Sequence, residues 1–364
     1  MALIIAEYWQ QIQASLFPYL SERLECKLTD KLEQLVLILD RVQIERFIPS
    51  PFLQRLGRKA QDRRPMARAF IAKAVYGLPT TKLLREMLLY NPPLRRICGW
   101  ERKNQVPSEP TLSRAFAEFA QIRLGDKTHL ALIREHIGDQ IVMHLSRDST
   151  ELPAREKPAA KPKGPKKPPR SRRTKDGQVL EMTRVERQLG QSAAEALAEL
   201  PRVCDAGVKK DSKGNLHTVI GYKVHIDWAD DSIPINVETT SVSLHDSQVA
   251  IPMARTSAER VQALYELMDQ AFDAPVIRQA ICDLGHVPLI EGQRRRKDYV
   301  PFDPAQERRY DNRTTAERGN SRLKDAFGFR QLRVRGHAKV HLHAMFAILA
   351  LFVDNIFKPW QTAT

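Results

Sequence analysis

Four residues between positions 310 and 324 have types and spacing that could give one helix a chemically active face. They are Tyr310, Arg313, Glu317 and Lys324. With about 100° of turn per residue, a helix places all four within an arc of roughly 60°. That face carries a carboxylate flanked by a phenol and two cations. If a neighbouring apolar face of the helix is buried, the charged face would line a cleft. A charged helix face is more often only solvated, and Gly319 in mid-helix weakens the helix prediction.

The spacing of these four residues resembles the YREK motif of bacterial insertion-sequence transposases of the DDE class. In that motif two residues separate the Tyr from the Arg, three separate the Arg from the Glu, and six separate the Glu from the Lys, as they do here. The resemblance implies that Glu317 is the third metal-binding carboxylate of a catalytic site. It implies that Arg313 and Lys324 bind DNA phosphates, for which a guanidinium fork and an ammonium point charge are suited. Tyr310 is expected to pack against or hydrogen-bond the DNA backbone.

The first aspartate that such a site needs is Asp148. An apolar strand is predicted at residues 141–145, and the segment Ser146 to Thr150 follows it. An Asp at the carboxyl end of a buried strand is poorly explained by packing, although it could simply begin a turn. The string Asp148-Ser-Thr also matches the form that opens the catalytic domain in the DDE family, which implies a metal ligand.

The second aspartate is Asp269 or Asp283, and topology favours Asp269. Parallel neighbours in a sheet need a crossover of about a dozen residues or more, usually a helix. Asp283 would leave two residues before the strand predicted at 286–290, whereas Asp269 leaves room for a helix at about 274–284. The string from Asp269 resembles the family's Asp-x-Gly-Tyr-Asp with two substitutions, and Asp283-Leu-Gly also fits its start.

The remaining elements predict how these residues are positioned. Strand patterns at 217–227 and 233–239 lie between the first two aspartates, and an apolar helix at about 339–357 follows the motif. This order resembles the RNase H-like fold of DDE transposases and retroviral integrases. We therefore expect an α/β protein in which an RNase H-like mixed-sheet catalytic domain at 141–364 follows an all-helical N-terminal region at 1–140.

Two basic regions are predicted to contact DNA. Residues 1–140 show short amphipathic helices rich in Arg and Lys, which resemble a helix-turn-helix reader of DNA ends, with a helical dimerisation bundle as the alternative. A basic, Pro-rich insertion at about 151–190 interrupts the catalytic domain. Its middle, residues 157–173, has almost no apolar residue except alanine, so we expect it to be disordered when free and to contact phosphates in a salt-dependent way.

The overall charge of the chain favours a polyanionic partner. Lys and Arg number 58 against 43 Asp and Glu, a net charge of +15, which is typical of nucleic-acid binding and less often of binding to anionic membranes. The longest apolar run, residues 344–353, is well short of the ~20 residues that a spanning helix needs. No secretory signal is recognisable, so we expect the protein in the bacterial cytosol, associated with the nucleoid.

The chemistry implied by the resemblance is two-metal phosphoryl transfer on double-stranded DNA. Three carboxylates suit Mg²⁺, with Mn²⁺ possible, and two ions about 4 Å apart can activate water or a 3′-hydroxyl and stabilise the leaving oxygen. The expected enzyme cleaves at terminal inverted repeats and joins the 3′-hydroxyl ends to target DNA, as a homodimer paired on two ends. The alternatives are a DNA-binding protein with a silent relic catalytic domain and a metal-dependent nuclease without strand transfer.

Overall fold

The computed structural model describes residues 28–49, 61–160, 182–210, 214–292 and 299–357. The chain divides into two compact units. The first unit contains the residues up to Thr128, Ala326–Gln331 and the residues from Phe346 onward. The second unit contains His129–Asp325 and Leu332–Met345.

Helices form the described regular structure of the first unit before residue 129. They are α1 (Asp30–Val42), α2 (Arg64–Val75), α3 (Thr81–Tyr90), α4 (Pro92–Cys98), α5 (Glu109–Gln121) and the start of α6 (Leu124–His136). Three of them begin where the sequence supplies a capping side chain, because Thr29, Thr80 and Asn91 each accept a hydrogen bond from the backbone N–H three residues on. That this region forms a DNA-end-binding domain stays a prediction.

Aromatic rings fill part of the core of the first unit. The ring of Phe70 lies edge-on to that of Phe116, with centroids 4.9 Å apart, and is stacked on that of Phe346 at 5.7 Å. Phe346 belongs to the last helix, so the C-terminal end of the chain completes the core begun by α2 and α5. Such offset and edge-to-face pairs add to the stabilisation from burial.

A mixed six-stranded sheet is the centre of the second unit. Its strands are β1 (Ile141–Pro153), β2 (Asp205–Lys210), β3 (Leu216–Ala229), β4 (Ile233–Ser241), β5 (Gln262–Met268) and β6 (Val287–Ile290). The order is β2-β3-β1-β5-β6, and β4 also pairs with β3. The pairs β1–β5 and β5–β6 are parallel, whereas β3 pairs antiparallel with β1, β2 and β4. The predicted α/β class with a mixed sheet is therefore present.

The first strand is longer than the sequence predicts. An end at residue 145 is wrong, because β1 continues to Pro153 as the antiparallel partner of β3, with Ser146 opposite Trp228 and Pro153 opposite Gly221. Its parallel pairing with β5 stops earlier, at Ser146 and Leu267. Asp148 therefore lies in the part of β1 that still pairs with β3 but no longer pairs with β5.

Helices cover both faces of this sheet. On one face lie α9 (Ala250–Ala258) and α10 (Pro275–Asp283), whose apolar residues form one buried cluster with Met268 and Ile290. The crossover from β5 to β6 runs through α10, as predicted for residues 274–284. On the other face lies α12 (Thr314–Ala326), which follows α11 (Pro304–Tyr310) and a 3-10 turn at Asp311–Arg313. The single helix expected from Tyr310 to Lys324 is thus interrupted by that turn.

The predicted insertion at 151–190 has ordered ends. The strand β1 extends into it as far as Pro153, and α7 (Arg184–Gln188) lies at its other end, before α8 (Ala193–Ala198). Residues 161–181, which include most of the basic stretch, lie outside the described residues.

The last helix, α13 (His337–Phe357), matches the apolar helix predicted at about 339–357. By length and composition its 21 residues could cross a membrane, but 83% of its most apolar stretch is buried inside the structure. Burial to this extent is typical of a helix in the core of a folded domain. The helix therefore adds little to the case for a membrane partner.

Candidate active site

Asp148 and Asp269 occupy the same register position on neighbouring parallel strands. Ser146 and Leu267 form the last pair of β1 with β5, and each aspartate lies two residues further along the chain. Asp269 follows directly after β5 and keeps an extended backbone. Because side chains alternate across a strand, both aspartates lie on the α12 face of the sheet.

Burial and mutual repulsion keep both carboxyls protonated to higher pH than ordinary aspartates. The pKa of Asp148 is raised mainly by desolvation, with further contributions from the charges of Asp269 and Asp246. The pKa of Asp269 is raised by desolvation and by Asp246 and Glu291, although the backbone N–H of Ala271 and the Arg313 charge oppose the shift. Two carboxylates in this setting need additional positive charge to ionise together.

Asn320 holds Asp148 from the facing helix. Its Nδ2 donates a hydrogen bond of 2.8 Å to Asp148 Oδ2, and the residue is only 5% exposed. Its Oδ1 is buried with no hydrogen-bond partner among the described residues. Sequence reasoning missed Asn320, although it lies three residues after Glu317 and close to the arc of the motif residues.

Gly319 lets α12 approach the sheet this closely. A Cβ at this position would lie 2.6 Å from a ring carbon of Trp228, which is fully buried on β3. A side chain would therefore push the helix away from Trp228 and carry Asn320 away from Asp148. The glycine that weakened the helix prediction is a packing requirement.

Arg313 interacts with Glu317 and acts on the charges of both aspartates. Its Nη2 is 2.9 Å from Glu317 Oε1, and its charge partly opposes the rise in the pKa of both Asp148 and Asp269. The Glu317 side chain is 59% exposed and that of Arg313 is 24% exposed. Lys324 is half-buried on the same helix. The structure thus brings the two aspartates together, whereas Glu317 is paired with Arg313.

Tyr310 makes contacts within the protein. Its hydroxyl donates a hydrogen bond of 3.1 Å to the backbone oxygen of Met268, the residue before Asp269. Its ring lies 5.0 Å from that of Phe302, and burial raises the pKa of Tyr310 to about 12. Tyr310 therefore ties the end of α11 to the end of β5, while its contact with DNA stays a prediction.

Asp246 is a further carboxylate near the two aspartates. Asp246 is the first residue of the 3-10 turn Asp246–Val249, which is capped by the His245 side chain and not by Asp246. Asp246 Oδ1 instead lies 2.9 Å from Lys223 Nζ and 3.6 Å from His225 Nδ1. Burial alone would raise the pKa of Asp246, but His225 and Lys223 lower it on balance.

Asp283, the other candidate from the sequence, lies at the end of α10. It is exposed, and its Oδ1 accepts a hydrogen bond of 2.7 Å from Gln279 Nε2. The next strand, β6, begins only four residues later. The topology that favoured Asp269 over Asp283 is therefore the one observed.

The donor set fits a divalent cation that is completed by its substrate. Within the described ranges, no three His, Cys, Asp or Glu side chains form a ready-made cation cage. Mg²⁺ is usually held by one or two carboxylates together with waters and substrate phosphates. Asp148, Asp269 and the unpaired Oδ1 of Asn320 supply oxygen donors of that kind.

The mixed sheet, with two aspartates just beyond the last pair of β1 with β5 and a glutamate on the facing helix, is consistent with an RNase H-like DDE domain. The family model of the transposase DDE domain matches residues 143–353, more than half of the chain, and the chain therefore belongs to this family. The model of a second family, transposase domain (DUF772), matches residues 21–118. No curated protein matched the chain. The two matches support an insertion-sequence transposase of the DDE class, an enzyme that acts on DNA and whose family is generally dependent on divalent metals.

Proposed function

We propose that this transposase belongs to the YREK branch and cleaves phosphodiester bonds at the terminal inverted repeats of its insertion sequence. It then joins the 3′-hydroxyl ends to target DNA. The observation that carries this proposal is the shared register position of Asp148 and Asp269 on the face covered by α12. Two repelling carboxyls at that position favour a cationic cofactor and a phosphate substrate.

Asp148, Asp269 and Glu317 are the proposed metal ligands. A pair of Mg²⁺ or Mn²⁺ ions, when bound, would activate water or a 3′-hydroxyl and stabilise the leaving oxygen. Asp148 and Asp269 supply fixed carboxylates from the sheet. Glu317 supplies the third after it gives up its ion pair with Arg313, which costs little because an exposed i,i+4 pair contributes only about 0.3–0.5 kcal/mol.

Arg313 and Lys324 are the proposed phosphate clamps, with Tyr310 beside them as the third DNA-contacting residue. Once Glu317 turns to the metal, the Arg313 guanidinium is available to a scissile-strand phosphate. Arg313 thus offsets the carboxylate charges when no DNA is bound, and it binds a DNA phosphate when the metal ions and the substrate are present. Lys324 on α12 adds a point charge that can contact the flexible DNA backbone.

The N-terminal region and the basic insertion complete the proposal. The matched transposase domain at 21–118 supports a role for the first unit in binding the element's ends. The insertion supplies non-specific phosphate contacts, and two chains paired on two DNA ends form the active homodimer. The enzyme acts on DNA in the cytosol, at the nucleoid.

Incubation of the full-length protein with Mg²⁺, a duplex carrying the inverted repeats that flank its gene, and a supercoiled target plasmid tests the proposal. We expect 3′-end cleavage and a joined product. Cleavage without joining would point to a nuclease, and binding without cleavage would point to a silent catalytic domain. Asp148→Asn and Asp269→Asn should abolish both products while end binding persists, and Asp283→Asn is the matched control that should remain active.

A further inference from the structure

We propose that Asn320 is a further residue of the cation site, one that orients Asp148 through Nδ2 and supplies Oδ1 as a neutral oxygen ligand. The inference rests on the proposed function, since it concerns the same site. It adds a residue from outside the carboxylate set and gives it two separate tasks.

The hydrogen bond fixes which atoms of Asp148 are available. Asn320 Nδ2 donates to Asp148 Oδ2 at 2.8 Å, which leaves Oδ1 of the aspartate for a cation. Carboxylates that bind metals are commonly held by a second residue in this way, and loss of that residue typically weakens metal binding by about 10–100-fold.

The orphaned amide oxygen supports the second task. Asn320 is 5% exposed and its Oδ1 has no hydrogen-bond partner among the described residues. Buried polar atoms in native proteins nearly always have a partner, so an unpaired oxygen beside a carboxylate needs an explanation. Amide oxygens are among the hard ligands that divalent cations accept.

The packing of α12 shows that this placement is built into the fold. Gly319 seats the helix directly on Trp228, and Ser232 Oγ donates to the Thr315 backbone oxygen at 2.8 Å on the same helix. These two contacts hold the helix where the Asn320 side chain reaches Asp148. Glu317, three residues earlier, points instead toward Arg313.

The test measures Mn²⁺ binding by the full-length protein, through the electron paramagnetic resonance signal of free Mn²⁺, without DNA and with a duplex oligonucleotide. We expect Asn320→Ala and Asn320→Leu to weaken binding about tenfold or more, as Asp148→Asn does. Asn320→Asp keeps an oxygen ligand but loses the Nδ2 donor to Asp148, so it should bind Mn²⁺ more tightly than Asn320→Ala and Asn320→Leu. Asn312→Ala is the matched control, because the Asn312 amide donates only to the nearby Arg309 backbone oxygen among its described contacts.

A packing role for Asn320 predicts the reverse pattern. If Asn320→Leu bound Mn²⁺ like the wild type while Asn320→Asp lost binding, the proposal would be overturned. Equal Mn²⁺ affinity in the wild type and Asn320→Ala, or no Mn²⁺ binding by the wild type with or without DNA, would also overturn it. Circular dichroism of each variant separates misfolding from ligand loss, and the three substitutions at one position keep the test decisive if one fails to fold.

The readout also keeps this inference distinct from the proposed function. Binding of Mn²⁺ is measured without any cleavage or joining step. Failure of the wild type to produce cleaved or joined DNA would reject the proposed reaction, whereas the inference stands or falls on the affinities of the position-320 variants.

Discussion

Arg147 and Asp227 form a two-pronged ion pair on the face of the sheet opposite to Asp148. Arg147 Nε lies 2.7 Å from Asp227 Oδ1, and Nη2 lies 3.0 Å from Oδ2. Both side chains are at most 1% exposed. Arg147 also lies 3.3 Å from Glu266 on β5, so one guanidinium links the strands that carry the two aspartates of the site.

Arg147→Met should therefore destabilise the protein strongly. The substitution leaves Asp227 and Glu266 buried without the guanidinium, although Glu266 keeps its contact with His286. Breaking a buried pair in this way typically costs about 3–5 kcal/mol. Urea denaturation followed by circular dichroism measures the change. The double variant Arg147→Met/Asp227→Leu should recover part of the loss, because apolar replacement of a whole buried pair is often tolerated. A single variant as stable as the wild type would show that the pair contributes nothing.

Asp148→Asn should stabilise the metal-free protein at neutral pH. The folded-state pKa of Asp148 is raised, so its contribution to stability is fully present below the ordinary aspartate pKa near 3.9 and is lost as pH rises through the folded value. At pH values above the folded-state pKa, the ionised carboxylate destabilises the folded protein, and the neutral amide of Asn removes this destabilisation. Thermal unfolding in EDTA, compared between wild type and variant from pH 4 upward, measures the difference, which should grow with pH.

Excess Mg²⁺ provides the control for this prediction. A cation that binds the folded site should stabilise the wild type at neutral pH and leave Asp148→Asn nearly unchanged. A stability difference that stays constant from acid to neutral pH would mean that ionisation of Asp148 is not its source.

Gly319→Ala should destabilise the protein even though alanine is the better helix former. Replacing glycine by alanine inside a helix stabilises the helix by about 1 kcal/mol through helix propensity. The new Cβ would lie 2.6 Å from the Trp228 ring, and overpacking of a buried site costs about 1–3 kcal/mol. The displaced helix should also separate Asn320 from Asp148 and so reduce DNA cleavage more than stability alone explains.

A double-mutant cycle isolates that contact. Trp228→Leu creates space beside position 319, so Gly319→Ala should be less harmful in that background than in the wild type. Ser321→Ala, on the exposed side of the same helix, controls for helix propensity. Equal effects of Gly319→Ala in both backgrounds would show that the Trp228 ring is not what the glycine accommodates.

Local rules predicted much of this site from the sequence. The length of the crossover between β5 and β6 singled out Asp269 over Asp283, because a parallel connection needs a helix and only one choice left room for it. Helical spacing placed Arg313 and Glu317 one turn apart, where they form an ion pair. These inferences depend on residues that are near each other in the sequence.

The features that were missed depend on distant partners. The extension of β1 past residue 145 follows from its pairing with β3, and the link between Asn320 and Asp148 spans 172 positions. Lys223 and His225 on β3 hold the Asp246 carboxylate, a contact that the residues around position 246 do not specify. No local pattern specifies which polar residue of an amphipathic helix will be buried against a sheet.

Glu317→Gln should separate catalysis from stability. Its carboxylate is 59% exposed and pairs only with Arg313 among its described contacts, so the change in unfolding free energy should stay within about 0.5 kcal/mol. Binding to DNA ends should persist, because Arg313 loses its acidic partner and remains available to phosphate. Cleavage and joining should be lost if Glu317 is the third metal ligand. Gel-shift and cleavage assays on the same preparation measure both, with Glu307→Gln on the exposed α11 as the matched control, and a Glu317→Gln enzyme that cleaves like the control would remove Glu317 from the catalytic set.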